Sequence, residues 1–293
     1  MDDLPIELIQ YILYDPVIKL NWTTVIKCIK TSKIFQVLNK RELSVLTNVS
    51  KGYEHCVKIG DLQALQRCKI NYIEYAFNMS CGYGRLEITK WLIKAYPKIN
   101  IHAYGEYVFR QSCKYGQLEI IQWLIKYVNS LKSSIDIHIY DEVAFINSCK
   151  NGYLETAQWL IEYTNSIGSP IDIHASNENA FIYSCKNGYL ETAQWLIEYA
   201  ESIGSPIDIH AGNENAFIYS CKNGHLELFQ WLIKYAHFLN SPIDVHEQNE
   251  LAFKWSLNNM QYQTVKWLIE TYDGFDTTRF SEKEMAFYNK HKK

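Results

Sequence analysis

With 29 Lys and Arg against 32 Asp and Glu, this chain of 293 residues has a formal net charge of −3. That balance excludes a general binder of phosphate backbones, which needs clustered cations. Apolar residues make up 47% and aromatics 14%, enough for a large core, and no apolar run reaches the ~20 residues that span a bilayer. The opening MDDLPIEL is acidic and lacks a secretory leader pattern. The expectation is an intracellular, cytoplasmic protein, with the nucleus left open, whose cysteines stay as thiols.

Residues 1–42 read as a helical segment of their own. Pro5 stands in a first helical turn, where its missing N–H costs nothing. Leu8, Ile9, Ile12 and Leu13 then form an apolar stripe, and a second helical stretch carries Val25, Ile26, Ile29, Ile34, Phe35 and Leu38. The runs Leu4-Pro5-Ile6-Glu7-Leu8, Ile12-Leu13 and Thr31-Ser32-Lys33-Ile34-Phe35 resemble an F-box. That family's pattern is L-P-x-E-L, a hydrophobic pair, then V-[SC]-[KR]-x-[WF]. Asp15-Pro16 departs from the leucine and proline usual there. The resemblance implies docking through Leu4, Pro5, Leu8, Ile12 and Phe35 onto the adaptor subunit of a cullin–RING ubiquitin ligase. The alternative is a plain cap that shields the first repeat, which arrays need, and one segment could do both.

From 43 to 272 the chain is periodic. Trp91, Trp123, Trp159, Trp195, Trp231 and Trp267 step by 32 and then by 36. Seven residues before each Trp stands Gly84, Gly116, Gly152, Gly188 or Gly224, with Met260 in the last slot. Seven before those stand Phe77, Phe109, Phe145, Phe181, Phe217 and Phe253. A worn unit with Tyr53, Gly60 and Arg67 precedes them, making about seven units.

Each unit reads as two helices. Asn179–Asn187 is a short one whose following Gly188 suits a left-handed C-terminal cap. Leu190–Ser202 is a longer one, with Leu190, Ala193, Leu196, Ile197 and Ala200 at helical spacing. A helix apolar on several sides needs neighbours on several sides, and stacking supplies them. The expected fold is therefore all-α, a solenoid of helix pairs.

The stretch CKNGHLELFQWLIKY resembles the core of an ankyrin repeat, and PIDIHA resembles that family's G-A-D-V-N-A loop. The likeness spans about 230 residues and recurs in register. The family's T-P-L-H is replaced, as by Asn179-Ala180-Phe181-Ile182. About six extra residues between Glu198 and Ala211, and about three fewer after it, imply a lengthened second helix and a shortened β-finger. The Tyr/Asn/Ile/Lys-rich 36-residue units resemble the ankyrin proteins of giant amoeba viruses, which would place this chain in a host cell.

His102, His138, His174, His210 and His246 recur beside Cys113, Cys149, Cys185 and Cys221. Zinc needs every ligand within about 2.3 Å of one point, whereas equivalent residues of stacked units lie about 8–10 Å apart, so no metal is expected. The histidines are expected to satisfy loop carbonyls, and each Cys, with the Ser before it, to pack where first helices meet. The Trp ladder reads as core. No nucleophile elbow, phosphate loop or metalloprotease motif occurs, so neither enzymatic activity nor a cofactor is expected.

The position five before the glycine changes while its frame stays constant: His55, Met79, Gln111, Asn147, Tyr183, Tyr219, Trp255. In ankyrin-like units it points into the concave groove, so Gln111, Asn147, Tyr183, Tyr219 and Trp255 are the candidate target-binding residues. Packing of these rings on each other is the competing reading. Lys114, Lys150, Lys186 and Lys222 end the first helices, suiting the helix dipole or an acidic partner. Residues 273–293 break the period, with a polar closing helix expected over 280–292 and a frayed basic end. Together these features predict a monomeric protein–protein interaction module without nucleic-acid or membrane partners. Its role is that of a ubiquitin-ligase substrate receptor for an unknown host target or, alternatively, of a plain scaffold or host-protein decoy.

Overall fold

The structure, a computed structural model, describes residues 48–49 and 51–292. The F-box-like Leu4, Pro5, Leu8, Ile12 and Phe35 lie outside the described residues. The described chain is all-α: helix pairs follow one another, and no strand occurs among its elements.

Two compact units divide it. One holds the described residues up to Ser112 together with Gln117–Ile135, and the other holds Cys113–Gly116 together with everything from Asp136 on. The first contains α1 (Tyr53–Ile59), α2 (Leu62–Leu65), α3 (Ile73–Gly82), α4 (Leu86–Ala95), most of α5 (Ala103–Lys114) and α6 (Leu118–Ser130). There α1 packs on α3, and Phe77 and Phe109 are buried.

The second unit contains α7 (Ile139–Lys150), α8 (Leu154–Ser166), α9 (Ala175–Lys186), α10 (Leu190–Ser202), α11 (Ala211–Lys222) and α12 (Leu226–Phe238). It ends with α13 (Glu247–Asn258), α14 (Tyr262–Thr271), a 3₁₀ turn at Thr277–Arg279 and α15 (Glu282–His291). First helices pack in register, α7 on α9, α9 on α11 and α11 on α13, and each carries its second helix beside it.

The core follows from the period. Phe145, Phe181, Phe217 and Phe253 are fully buried, one per first helix, each stabilising by roughly 2–3 kcal/mol. Ser-Cys keeps the helices close, for both residues are small and buried in every copy. Ser184 Oγ donates to the Ala180 carbonyl at 2.7 Å and lies 3.2 Å from the Cys149 carbonyl of the preceding first helix. Asn187 Nδ2 donates to the Lys150 carbonyl at 2.6 Å, and Asn223 and Asn259 do the same to Lys186 and Lys222. These three Asn side chains thus clamp the preceding unit's helix end, whereas Asn151 Nδ2 donates to the Asn147 carbonyl of its own helix.

Gly188 has φ +80° and closes a Schellman turn, with its N–H on Cys185 and that of Tyr189 on Ser184. A β-carbon there would stand 2.5 Å from His225 Nδ1 of the following unit. The glycine is therefore required twice, by conformation and by stacking. Met260 holds the same slot at φ +60° and is exposed, at the end of the period.

The second helix of each 36-residue unit has 13 residues, against 10 in α4 and α14. The lengthening read from the spacing is there. The shortened β-finger is a different object. Ser176, Asn177 and Glu178 take three consecutive left-handed conformations (φ 55°, 59° and 61°) before the right-handed helix starts at Asn179. The same run recurs at the starts of α5, α7, α11 and α13.

The tryptophans are not core. Each is half-buried, stacked in four units on the Tyr four residues on, as in Trp159–Tyr163 at 5.1 Å and Trp195–Tyr199 at 5.9 Å. One edge reaches the preceding unit's core, as Trp195 does at Phe145. The closing segment is likewise less polar than its composition suggests. Phe280 stacks on Phe253 at 4.6 Å, and Phe275 and Tyr288 bury their rings there. Ser281 and Glu284 form a capping box that starts α15.

Candidate protein-binding face

On the right-handed part of α9 the buried residues are Ala180, Phe181, Ile182, Ser184 and Cys185, leaving Asn179, Tyr183 and Lys186 towards solvent. Spacing alone imposes this, since positions four and three apart share a helix face. The neighbouring first helices follow suit, so Asn147, Tyr183, Tyr219 and Trp255 come out on one face of the second unit, each half-buried.

Both sequence readings of this stripe describe part of it. Tyr219 stacks on Trp255 at 5.7 Å, so two rings do pack together. They also remain partly open, and cations cover them. Lys150 Nζ lies 4.6 Å from the Tyr183 ring centre, Lys186 Nζ 4.7 Å from Tyr219 and 5.6 Å from Tyr183, and Lys222 Nζ 4.2 Å from Trp255. Each lysine at a helix end thus leans over the ring of the following unit. Among the described residues none of the three has a carboxylate within ion-pair distance. Gln111 belongs to the first unit, where it is half-buried on α5.

The histidines do not serve loop carbonyls. His174 Nδ1 meets Glu178 Oε1 at 2.8 Å, and its Nε2 meets Ser205 Oγ of the next unit at 2.8 Å. Glu178 Oε1 also accepts the Asp208 N–H at 3.1 Å. Pairs His138–Glu142 and His210–Glu214 repeat this with Ser169 and Ser241, and His102–Glu106 reaches Ser133 within the first unit. Each of these glutamates is buried. The signal, His-x-x-x-Glu in five units, is in the sequence, but the expectation gave the histidines to loop carbonyls instead.

Burial pushes the thiols of Cys113, Cys149, Cys185 and Cys221 well above the ordinary cysteine range, which makes them packing groups rather than nucleophiles. Cys56 and Cys68 lie with their sulfurs 3.7 Å apart, and a hydrogen bond from Cys56 pulls the Cys68 thiol down. Among the described residues no three His, Cys, Asp or Glu side chains group in a way that could hold a metal ion, and no helix is long and apolar enough to cross a membrane. The first unit also carries an open cleft of about 710 Å³ among Tyr72, Tyr75, Tyr96 and Tyr104.

Residues 128–207 match the family model of ankyrin repeats, in three copies. No curated protein matches the chain. Among solved structures, a chain of the complex described as the predatory endopeptidase Bd0816 from Bdellovibrio bacteriovorus with immunity protein Bd3460 is similar at 19% identity. The match covers 67% of this chain and 97% of that one, with a TM-score of 0.43. Ankyrin repeats thus occupy the matched residues, and the Phe–Gly–Trp repeat continues on both sides of them, with a 32-residue step at its start. Repeats of this type form protein–protein interaction modules, typically binding scaffolds rather than enzymes.

Proposed function

We propose that this chain is a target-binding receptor. The face bearing Tyr183, Tyr219 and Trp255 holds a partner protein, and residues 1–42 dock the adaptor of a cullin–RING ubiquitin ligase. The observation that carries the binding half is the contrast within each first helix. Ala, Phe and Ser are fully committed to packing, while the slot that changes from Asn147 to Tyr183, Tyr219 and Trp255 is half-buried, its rings lying under lysines that have no carboxylate partner among the described residues. Aromatic groups in partly desolvated settings are the common anchors of protein interfaces. The ligase half rests on the Leu4–Phe35 pattern alone. The resemblance of the 36-residue units to giant amoeba virus ankyrin proteins supports a host protein as the target. The chain makes no bond itself; its contribution is proximity.

The test is a pull-down of purified ligase adaptor by the whole chain beside a Leu8→Asp variant, both checked for native helicity. Binding that the variant loses supports the receptor. No binding by either removes the ligase half. A scaffold or decoy is then the better reading, since the lysine–aromatic contacts described run between Lys150 and Trp255.

A further inference from the structure

We propose that the face from Lys150 to Trp255 docks a polyproline-II segment of a partner protein that carries a carboxylate at every third position. The inference rests on the target-binding reading above and names the chemistry of the target's docking segment.

The first argument is charge. The chain is acidic overall, yet the solvent side of α7, α9 and α11 presents Asn, Tyr and Lys, with no acidic residue on their right-handed turns. Carboxylates sit instead on the second helices, at Glu155, Glu162, Glu191 and Glu198. Lys150, Lys186 and Lys222 each spend their charge on a ring face and on no carboxylate among the described residues. Each ammonium keeps donors for an incoming acceptor.

The second argument is spacing. The three lysines are equivalent residues of helices packed side by side, and packed helices lie about 8–10 Å apart. A polyproline-II helix has about three residues per turn at about 3.1 Å rise, so every third side chain falls on one face at about 9 Å intervals. The two repeats match. A β-strand fails the match, because side chains three apart point to opposite faces. Half-exposed Tyr and Trp rings suit the ridges of a proline-rich helix, as in other polyproline grooves.

A single-stranded nucleic acid would also seek cations and aromatic rings, but it binds by stacking bases on open ring faces. Here Lys150 and Lys186 both lie near the Tyr183 ring, and Tyr219 has Lys186 over it and Trp255 stacked on it, which leaves part of each ring open but no free face of the kind base stacking uses.

The experiment titrates the full chain with a labelled peptide of four Glu-Pro-Pro triplets, read by fluorescence anisotropy. Comparators are a peptide of the same residues with its glutamates clustered, a Lys-Pro-Pro peptide, and oligothymidylate. The expected result is binding of the regular peptide at least about tenfold tighter than of the clustered one, weakening as salt screens the charges. Lys186→Gln should weaken it by up to about fivefold, the upper range for one exposed ion pair. The triple Lys150→Gln, Lys186→Gln, Lys222→Gln variant should lose it while its circular-dichroism melt stays native. Lys234→Gln, on a second helix, should change nothing. Equal binding of regular and clustered peptides overturns the proposal, as does tighter binding of the oligonucleotide or full affinity in the triple variant. If the regular peptide fails while Tyr219→Ala still abolishes capture of a partner, this inference falls and the receptor reading stands.

Discussion

His174 Nδ1 and Glu178 Oε1 meet at 2.8 Å across three consecutive left-handed residues. Left-handed backbone costs roughly 1–2 kcal/mol per residue for side chains other than glycine, so the turn needs a reason to persist. Its closure by His174, the burial of Glu178 and the Asp208 N–H of the next unit supply one. The turn is therefore both a local clasp and the joint between neighbouring repeats.

Glu178→Ala removes the acceptor shared by His174 Nδ1 and the Asp208 N–H, and with it a charge-assisted link to the next unit. The expected loss is about 2–3 kcal/mol in urea-unfolding stability. His174→Ala should cost a similar amount, and the double variant less than the sum of the two, because both act through one bond.

The glycine slot gives a prediction of opposite sign at its two ends. Met260 is left-handed and exposed, so Met260→Gly should stabilise by about 1 kcal/mol. Gly188→Ala has the same backbone penalty and also drives a β-carbon into His225. It should destabilise by more than about 2 kcal/mol. Thermal melts of the two variants beside the parent check both.

Burial holds the His225 pKa below its usual 6.5, with the Lys186 carbonyl opposing only in part. The unfolded chain then binds the proton more readily, so this group contributes stability above about pH 6.5 that is lost as pH falls through the lowered value. His225→Gln, the residue found at Gln117 and Gln261 in the same slot, should flatten that part of the stability–pH curve between pH 7 and 5. An unchanged slope would assign the dependence to other groups.

Thiol labelling of the native chain followed by peptide mapping should modify Cys68 well before Cys113, Cys149, Cys185 or Cys221. Cys68 is half-exposed with a lowered pKa, whereas the other four are buried with raised ones. The buried four should react only on unfolding.

Much of this architecture was legible because it rests on residues within one repeat. The glycine cap, the Phe core and the 13-residue second helix all follow from helical spacing and a fixed period. What escaped depends on contacts between repeats. Trp195 looked like core because Trp is large and periodic, yet only one edge reaches Phe145. Lys150 meets Tyr183 from 33 positions away, which no local pattern encodes. The His–Glu clasp needs a left-handed turn that helix periodicity does not anticipate, so the carboxylate partners of the histidines went unread. The aromatic closure at Phe275, Phe280 and Tyr288 replaces a missing next repeat and has no period at all.

The central claim is that the inward positions of the first helices carry the fold and the outward ones carry binding. Phe217 and Tyr219, two residues apart on α11, separate the two roles most directly. Phe217→Ala and Tyr219→Ala are compared for melting temperature and for the proteins that the whole chain retains from cell extract. Phe217→Ala should cost about 3–5 kcal/mol, as for a fully buried Phe. Tyr219→Ala should leave the melt within about 1 kcal/mol of the parent while the retained proteins are lost. A Tyr219→Ala melt as low as that of Phe217→Ala, or undiminished capture by Tyr219→Ala, would contradict it.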